Sequence, residues 1–160
     1  MVKGIKKIIL IRGPLGIGKS TIAKLLAKHI GVEYLSLDKI LKDNDLEGTD
    51  GIPLENFLES NKILFNLINA SEKSFIVDGC YYHQEQIDDL QKKFNNSIMI
   101  FSLTSDVETC ISRDAGRNKV YGEDSARFVH MITTKIKVGF EIDTTNQSID
   151  ETYNEILEKI

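Results

Sequence analysis

The sequence predicts an α/β fold: a three-layer sandwich with a five-stranded parallel sheet between two layers of helices. Three observations carry this. Residues 5–11, Ile-Lys-Lys-Ile-Ile-Leu-Ile, form an apolar, β-branched run of the length that a buried parallel strand needs. A glycine-rich turn follows at once, and then Ile22, Leu25, Leu26 and Ile30 recur at helical spacing. Further along, short apolar runs alternate with amphipathic helical patterns, and that alternation builds parallel sheets covered on both faces.

The elements follow in order. The first helix ends at Gly31, where a left-handed cap belongs. Residues 33–37 read as a second strand ending at Asp38, with a short helix over 39–42 and an acidic, glycine-containing loop over 43–51. A long helix starts near Pro53 and puts Leu54, Phe57, Leu58, Leu64, Phe65 and Ile68 on one face. Residues 74–77 are a third strand, closed by Asp78-Gly79, and Ile87, Leu90 and Phe94 mark a helix over 84–94. Residues 98–103 form a fourth buried strand, after which Thr104 or Ser105 caps a helix carrying Val107, Cys110 and Ile111. A polar stretch over 115–124 precedes a helical pattern through Phe128, Met131, Ile132 and Ile136. A short fifth strand over 139–142 and a last helix capped by Ser148 complete the chain.

The run Gly13-Pro14-Leu15-Gly16-Ile17-Gly18-Lys19-Ser20 fits the phosphate-loop pattern, and it lies between a strand and a helix, where that pattern works. Backbone N–H groups of the loop and helix start then point at phosphate oxygens, and the helix dipole favours the negative charge. Lys19 reaches the β- and γ-phosphates, and the Ser20 hydroxyl ligates Mg²⁺. The alternative is a tight glycine turn with no ligand; the context favours a nucleoside triphosphate. Ligands in such sheets gather at the carboxyl ends of the strands, where Gly13, Asp38, Asp78 and Asp143 fall.

Composition sets the bounds. The 160 residues are expected to form one domain, 1–160, with 41% hydrophobic and 28% charged residues. The formal charge of −4 argues against a large nucleic-acid footprint but leaves room for a local basic groove. No run approaches a membrane span, and the start lacks a signal-peptide pattern, so a cytoplasmic protein with no membrane partner is expected. Cys80 and Cys110 have no metal-type spacing and read as reduced thiols. There are 16 lysines but only four arginines, Arg12, Arg113, Arg117 and Arg127. Arginine's planar fork suits bidentate phosphate binding, so the arginines point to phosphate sites; chance clustering or surface ion pairing is the alternative. Oligomeric state cannot be read from the chain.

With these motifs in place, the chain resembles the small phosphate-loop kinases related to adenylate kinase, most closely the branch of shikimate kinase, gluconate kinase, chloramphenicol phosphotransferase and polynucleotide kinase. The resemblance rests on Gly13 to Thr21 and, more weakly, on Leu37-Asp38, Cys110 to Arg117 and Glu141-Ile142-Asp143-Thr144-Thr145. It implies the strand order 2-3-1-4-5, ATP and Mg²⁺ as cofactors, and a lid at about 113–127. Carried over by position, Gly13, Pro14, Leu15, Gly16, Ile17, Gly18, Lys19, Ser20 and Thr21 bind ATP, with Arg113, Arg117 and Thr144. Asp38 takes or orients the acceptor hydroxyl's proton, or else caps the short helix after it. Asp78 supports Mg²⁺, or else is a turn residue ahead of Gly79; which of the two aspartates is the base stays open. Arg113 and Arg117 neutralise charge on the moving phosphoryl group, or else pair on a helix surface with Glu108, Asp114 or Glu123. Arg127 is a further lid or acceptor-side candidate.

The acceptor is read from what is missing. Residues 38–73 contain no arginine, which disfavours a nucleoside monophosphate or shikimate, although Lys39 or Lys42 would serve as point charges. Tyr81, Tyr82 and His83 either face the acceptor or pack beneath the lid and start the next helix. The expectation is an ATP-dependent kinase for a hydroxyl of a small, neutral molecule. The alternatives are a 5′-hydroxyl polynucleotide kinase and a non-catalytic nucleotide-dependent module.

Overall fold

The burial pattern of the strands dictates their order. In a computed structural model that describes residues 5–49, 51–116 and 122–160, strand β1 (Ile8–Arg12) is buried along its whole length. A strand apolar on both faces must lie inside a covered sheet. Strand β3 (Phe75–Gly79) is equally buried and β4 (Ile98–Thr104) nearly so, and these two flank β1. Strands β2 (Glu33–Ser36) and β5 (Phe140–Asp143) are more exposed and form the edges. The sheet is parallel throughout, in the order β2-β3-β1-β4-β5, as the resemblance implied.

Alternation along β1 divides the core in two. Ile8 and Leu10 face one side and pack with residues of α2 (Leu37–Asp43), α3 (Leu54–Asn69) and α4 (Gln84–Lys93), among them Leu41, Leu64 and Leu90. Ile9 and Ile11 face the other side, against Ile22 and Leu26 of α1 (Lys19–Ile30) and Ile156 of α7 (Ile149–Leu157). Each such side chain contributes about 1.5–3 kcal/mol by leaving water. Helices α5 (Val107–Ala115) and α6 (Glu123–Thr134) pack on each other after β4.

Several local expectations are met. Gly31 caps α1 at φ 71°, and Ser148 and Glu151 form a reciprocal capping box on α7. Three differ. The cap of α5 is Asp106, not Thr104 or Ser105, because β4 runs on through Thr104; its carboxylate accepts from the Thr109 N–H at 2.8 Å. Helix α2 starts at Leu37 and is capped by Ser36, so Asp38 in its first turn is not the cap. Strand β3 extends through Asp78 and Gly79, so Asp78 is a strand residue rather than a turn residue. Of the expected lid at 113–127, Arg117 and its tip, 118–121, lie outside the described residues.

Candidate active site

The loop between β1 and α1 is shaped by its glycines. Gly16 has φ 76°, and a β-carbon there would run into the carbonyl oxygen of Cys110 on α5. Gly18 has φ 95° with open space in front of it. Pro14 and Leu15 ahead of these turns and Ile17 between them are buried, and Gly13 lies close against Leu103 of β4. Helix α1 has no side-chain cap and no acidic residue in its first turn. Its N-terminus is therefore not closed by a capping side chain, as a helix start often is.

That N-terminus borders a cavity of about 300 Å³ lined by Gly16, Gly18, Lys19, Ser20, Thr21, Arg113 and Ile149. Lys19 is buried, and its ammonium donates to the Pro14 carbonyl at 3.2 Å. Arg113, the last-turn arginine of α5, donates to the Ile17 carbonyl at 3.4 Å. A second cavity of about 270 Å³ shares Gly18, Arg113 and Ile149, and continues past Ile17 to Thr144, Gln147 and Thr152. Thr144 is buried, and both its N–H and its hydroxyl donate to the Thr104 carbonyl. An uncapped helix start, a buried lysine and a trough leading away from them suit a triphosphate and its nucleoside.

Asp78 is paired with Ile11 of β1 on one side and Ser36 of β2 on the other. Only 2% of it is exposed, and burial pushes its carboxyl above the ordinary range. Hydrogen bonds from Tyr34 and Ser20 and the charge of Lys19 act in the opposite direction. The Tyr34 hydroxyl donates to Asp78 Oδ2 at 2.7 Å, and burial together with the Asp78 charge raises the phenol. Ser20 and Asp78 thus form an oxygen-donor set suited to a hard divalent cation beside the phosphates.

On the other side of the loop lies a cavity of about 320 Å³. Its walls include Leu15, Leu37, Leu41, Ile52, Phe57, Tyr82, Phe128 and Val129, with Asp38, Glu47 and Cys80. Tyr82 and His83 pack against Phe57 with ring centroids 5.3 and 5.4 Å away. Burial pushes the Tyr82 phenol up to about 12. Tyr81 is fully buried at φ 50°, with its ring against Gly79; it lies in the core rather than in the cavity, and His83 precedes the first residue of α4.

The structure therefore brings Lys19, Ser20, Thr21 and Arg113 to one cavity, Thr144 to its extension, and Asp38 to the cavity on the opposite side. Two arginines do something else. Arg12 is buried and donates to the carbonyls of Tyr81, Thr133 and Ile136 and to the Ser102 hydroxyl. Burial lowers its guanidinium to about 10. Arg127 pairs on the surface with Glu108 and Glu123 at 2.8 and 2.9 Å. Sequence reasoning missed Tyr34, Glu47 and Cys80. No local pattern marks them: β2 reads Glu-Tyr-Leu-Ser with no alternation, and the partner of Tyr34 lies on another strand. Both cysteines are free, as expected, and burial raises the Cys110 thiol to about 11.

Comparison with known proteins agrees with this geometry. A family model described as an AAA domain (AAA_18) matches residues 9–130. A protein of Thermococcus gammatolerans named "Putative adenylate kinase" is 30% identical over 96% of this chain and 85% of its own length. The gluconokinase of Sinorhizobium meliloti 1021 superposes with a TM-score of 0.77, covering 95% of this chain and 90% of its own, at 17% identity. Shikimate kinase from Acinetobacter baumannii, in complex with shikimate, superposes at 0.68 over 97% and 93% of the two chains, at 18% identity. The chain belongs to the AAA_18 family and is a P-loop kinase of the adenylate, shikimate and gluconate kinase type.

Proposed function

We propose that the protein transfers the γ-phosphoryl group of ATP to a hydroxyl of a small acceptor that carries no phosphate or carboxylate. The observation that carries this reading is the cavity beside the phosphate loop. Asp38 lines it, and no lysine or arginine does among the described residues. Lys39 is turned to Asp43 at 2.6 Å, and Lys42 is exposed and does not line the cavity. A bound anion would need a positive partner, and the described lining supplies none.

In this reading, the loop N–H groups and Lys19 hold the β- and γ-phosphates, and Arg113 balances charge as the phosphoryl group moves. Arg117 is the second arginine for that role. Ser20 and Asp78 would hold Mg²⁺, which supplies charge neutralisation on the phosphate oxygens. Asp38 orients the acceptor hydroxyl and accepts its proton. Ile149, Thr144 and the neighbouring backbone border the nucleoside.

A second reading, transfer to a nucleoside monophosphate, is favoured by the 30% identical relative named as an adenylate kinase. One assay separates them: γ-labelled ATP and Mg²⁺ with AMP, sugars, nucleosides and hydroxylated antibiotics, and Lys19→Ala as control. Labelled product from an alcohol, absent from the control, supports the proposal. Labelled ADP from AMP supports the second reading.

A further inference from the structure

We propose that the acceptor is an amino alcohol with an apolar body, and that Glu47 receives its ammonium group. This rests on the reading of the Asp38 cavity as the acceptor site. The walls supply Leu41, Ile52, Phe57 and Phe128 for an apolar body, and Asp38 and Glu47 are the charged residues among the described lining.

Among the described residues, the nearby cations are engaged with other groups or lie outside the lining. Lys39 on α2 holds Asp43, and Arg127 on α6 holds Glu108 and Glu123. Lys42 is exposed outside the lining, and the ammonium of Lys19, which is not itself in the lining, is held by the Pro14 carbonyl and by Cys80 of the cavity wall. The segment that carries Glu47 continues the pattern: residues 43–49 include Asp43, Asp45 and Glu47, and no lysine or arginine. Glu47 itself makes no ion pair among the described residues.

An apolar-walled cleft lined by one sign of charge concentrates the field and gathers the opposite ion. The same charge repels a phosphate or carboxylate on a competing acceptor, so it both selects and excludes. The aromatic faces of Phe57, Tyr82 and Phe128 suit an ammonium or a ring equally. Asp38 remains with the hydroxyl. The acceptor oxygen forms a bond to the γ-phosphorus, the bond from that phosphorus to the bridging oxygen of ADP breaks, and the hydroxyl proton goes to Asp38.

The test uses three molecules that differ in one group: phenylethanolamine, its N-acetyl derivative and mandelate. Calorimetry on the full chain with MgADP is expected to show the amine binding about fivefold more tightly than the acetamide, a typical partly exposed ion pair. Mandelate is expected to bind weakest, and Glu47→Gln to erase the preference for the amine. Equal affinities, no detectable binding, or a preference for mandelate overturns the proposal. Transfer from γ-labelled ATP, with AMP included, separates this inference from the reading beneath it. If the acetamide accepts as well as the amine, the cation preference falls and the hydroxyl-kinase reading stands. If only AMP accepts, both fall.

Discussion

The Tyr34 hydroxyl donates a 2.7 Å hydrogen bond to Asp78 Oδ2, joining the edge strand β2 to the buried end of β3. Ser20, in the first turn of α1, reaches the same carboxyl. A hydroxyl that donates to a carboxylate stabilises its ionised form and fixes its direction. Tyr34 is therefore expected to position Asp78 for the metal role proposed for it. Removing the hydroxyl in Tyr34→Phe takes away a contribution that lowers the Asp78 carboxyl. The acid limb of the pH–rate profile then moves to higher pH, and more Mg²⁺ is needed for ATP binding. Calorimetry of ATP with and without Mg²⁺ checks this: metal-free binding stays unchanged, and only the Mg²⁺-dependent gain shrinks.

Asp78→Asn is expected to separate stability from function. Burial raises the folded-state carboxyl above its unfolded value, so the native state binds more protons in that window. Stability then falls as pH rises from the ordinary carboxylate range through the raised folded value. Asparagine removes the buried charge and keeps an acceptor for Tyr34. The variant should melt higher than the parent at neutral pH and lose this pH dependence, while phosphoryl transfer drops at least about tenfold. Thermal melts across pH, paired with activity, read both effects.

Arg12 predicts a stability defect. Its guanidinium serves carbonyls from three separate positions, Tyr81, Thr133 and Ile136, together with the Ser102 hydroxyl. Arg12→Ala strands those buried acceptors and should cost about 3 kcal/mol. For a chain of this size that lowers Tm by about 8 °C. Lysine cannot reproduce the fork, so Arg12→Lys is expected to recover only part of the loss.

Gly16→Ala tests the loop. Its φ of 76° and the Cys110 carbonyl in front of it leave no place for a β-carbon. The left-handed backbone alone costs about 1–2 kcal/mol for a non-glycine residue. The loop must shift, and ATP affinity is expected to fall at least tenfold, about 1.4 kcal/mol. Gly18→Ala has open space at its β-carbon but the same backbone strain at φ 95°, so it should damage ATP binding more than folding. Fluorescent-nucleotide binding and thermal melts distinguish the two.

Asp38→Asn tests the acceptor side. Asp38 lies in the first turn of α2 and is not its cap, so the substitution should leave Tm nearly unchanged. Transfer to the acceptor is expected to drop about a hundredfold with ATP affinity retained. Full activity would remove Asp38 from the reaction.

Much of this architecture was legible in the chain because it is encoded locally. Ile8 to Ile11 announces a strand covered on both faces, and Gly31 and Ser148 mark helix ends by the chemistry of single turns. The loop from Gly13 to Ser20 was legible for the same reason: backbone freedom, a lysine and a hydroxyl at fixed spacing suffice. The cap of α5 was misplaced by one or two residues because Thr104, Ser105 and Asp106 are all competent caps, and pairing of β4 with β5 through Thr104 and Asp143 decides among them.

The sequence by itself determined a parallel α/β sheet with a phosphate loop at the end of its first strand, since those features follow from short-range periodicity and backbone preference. Only the tertiary structure decided what the isolated polar residues do. Tyr34 meets Asp78 across 44 positions, Arg12 meets Thr133 across 121, and Glu47 joins Asp38 in one cavity with Phe128. Such partnerships depend on strand order and helix packing, which bring distant residues together without leaving a local pattern to read.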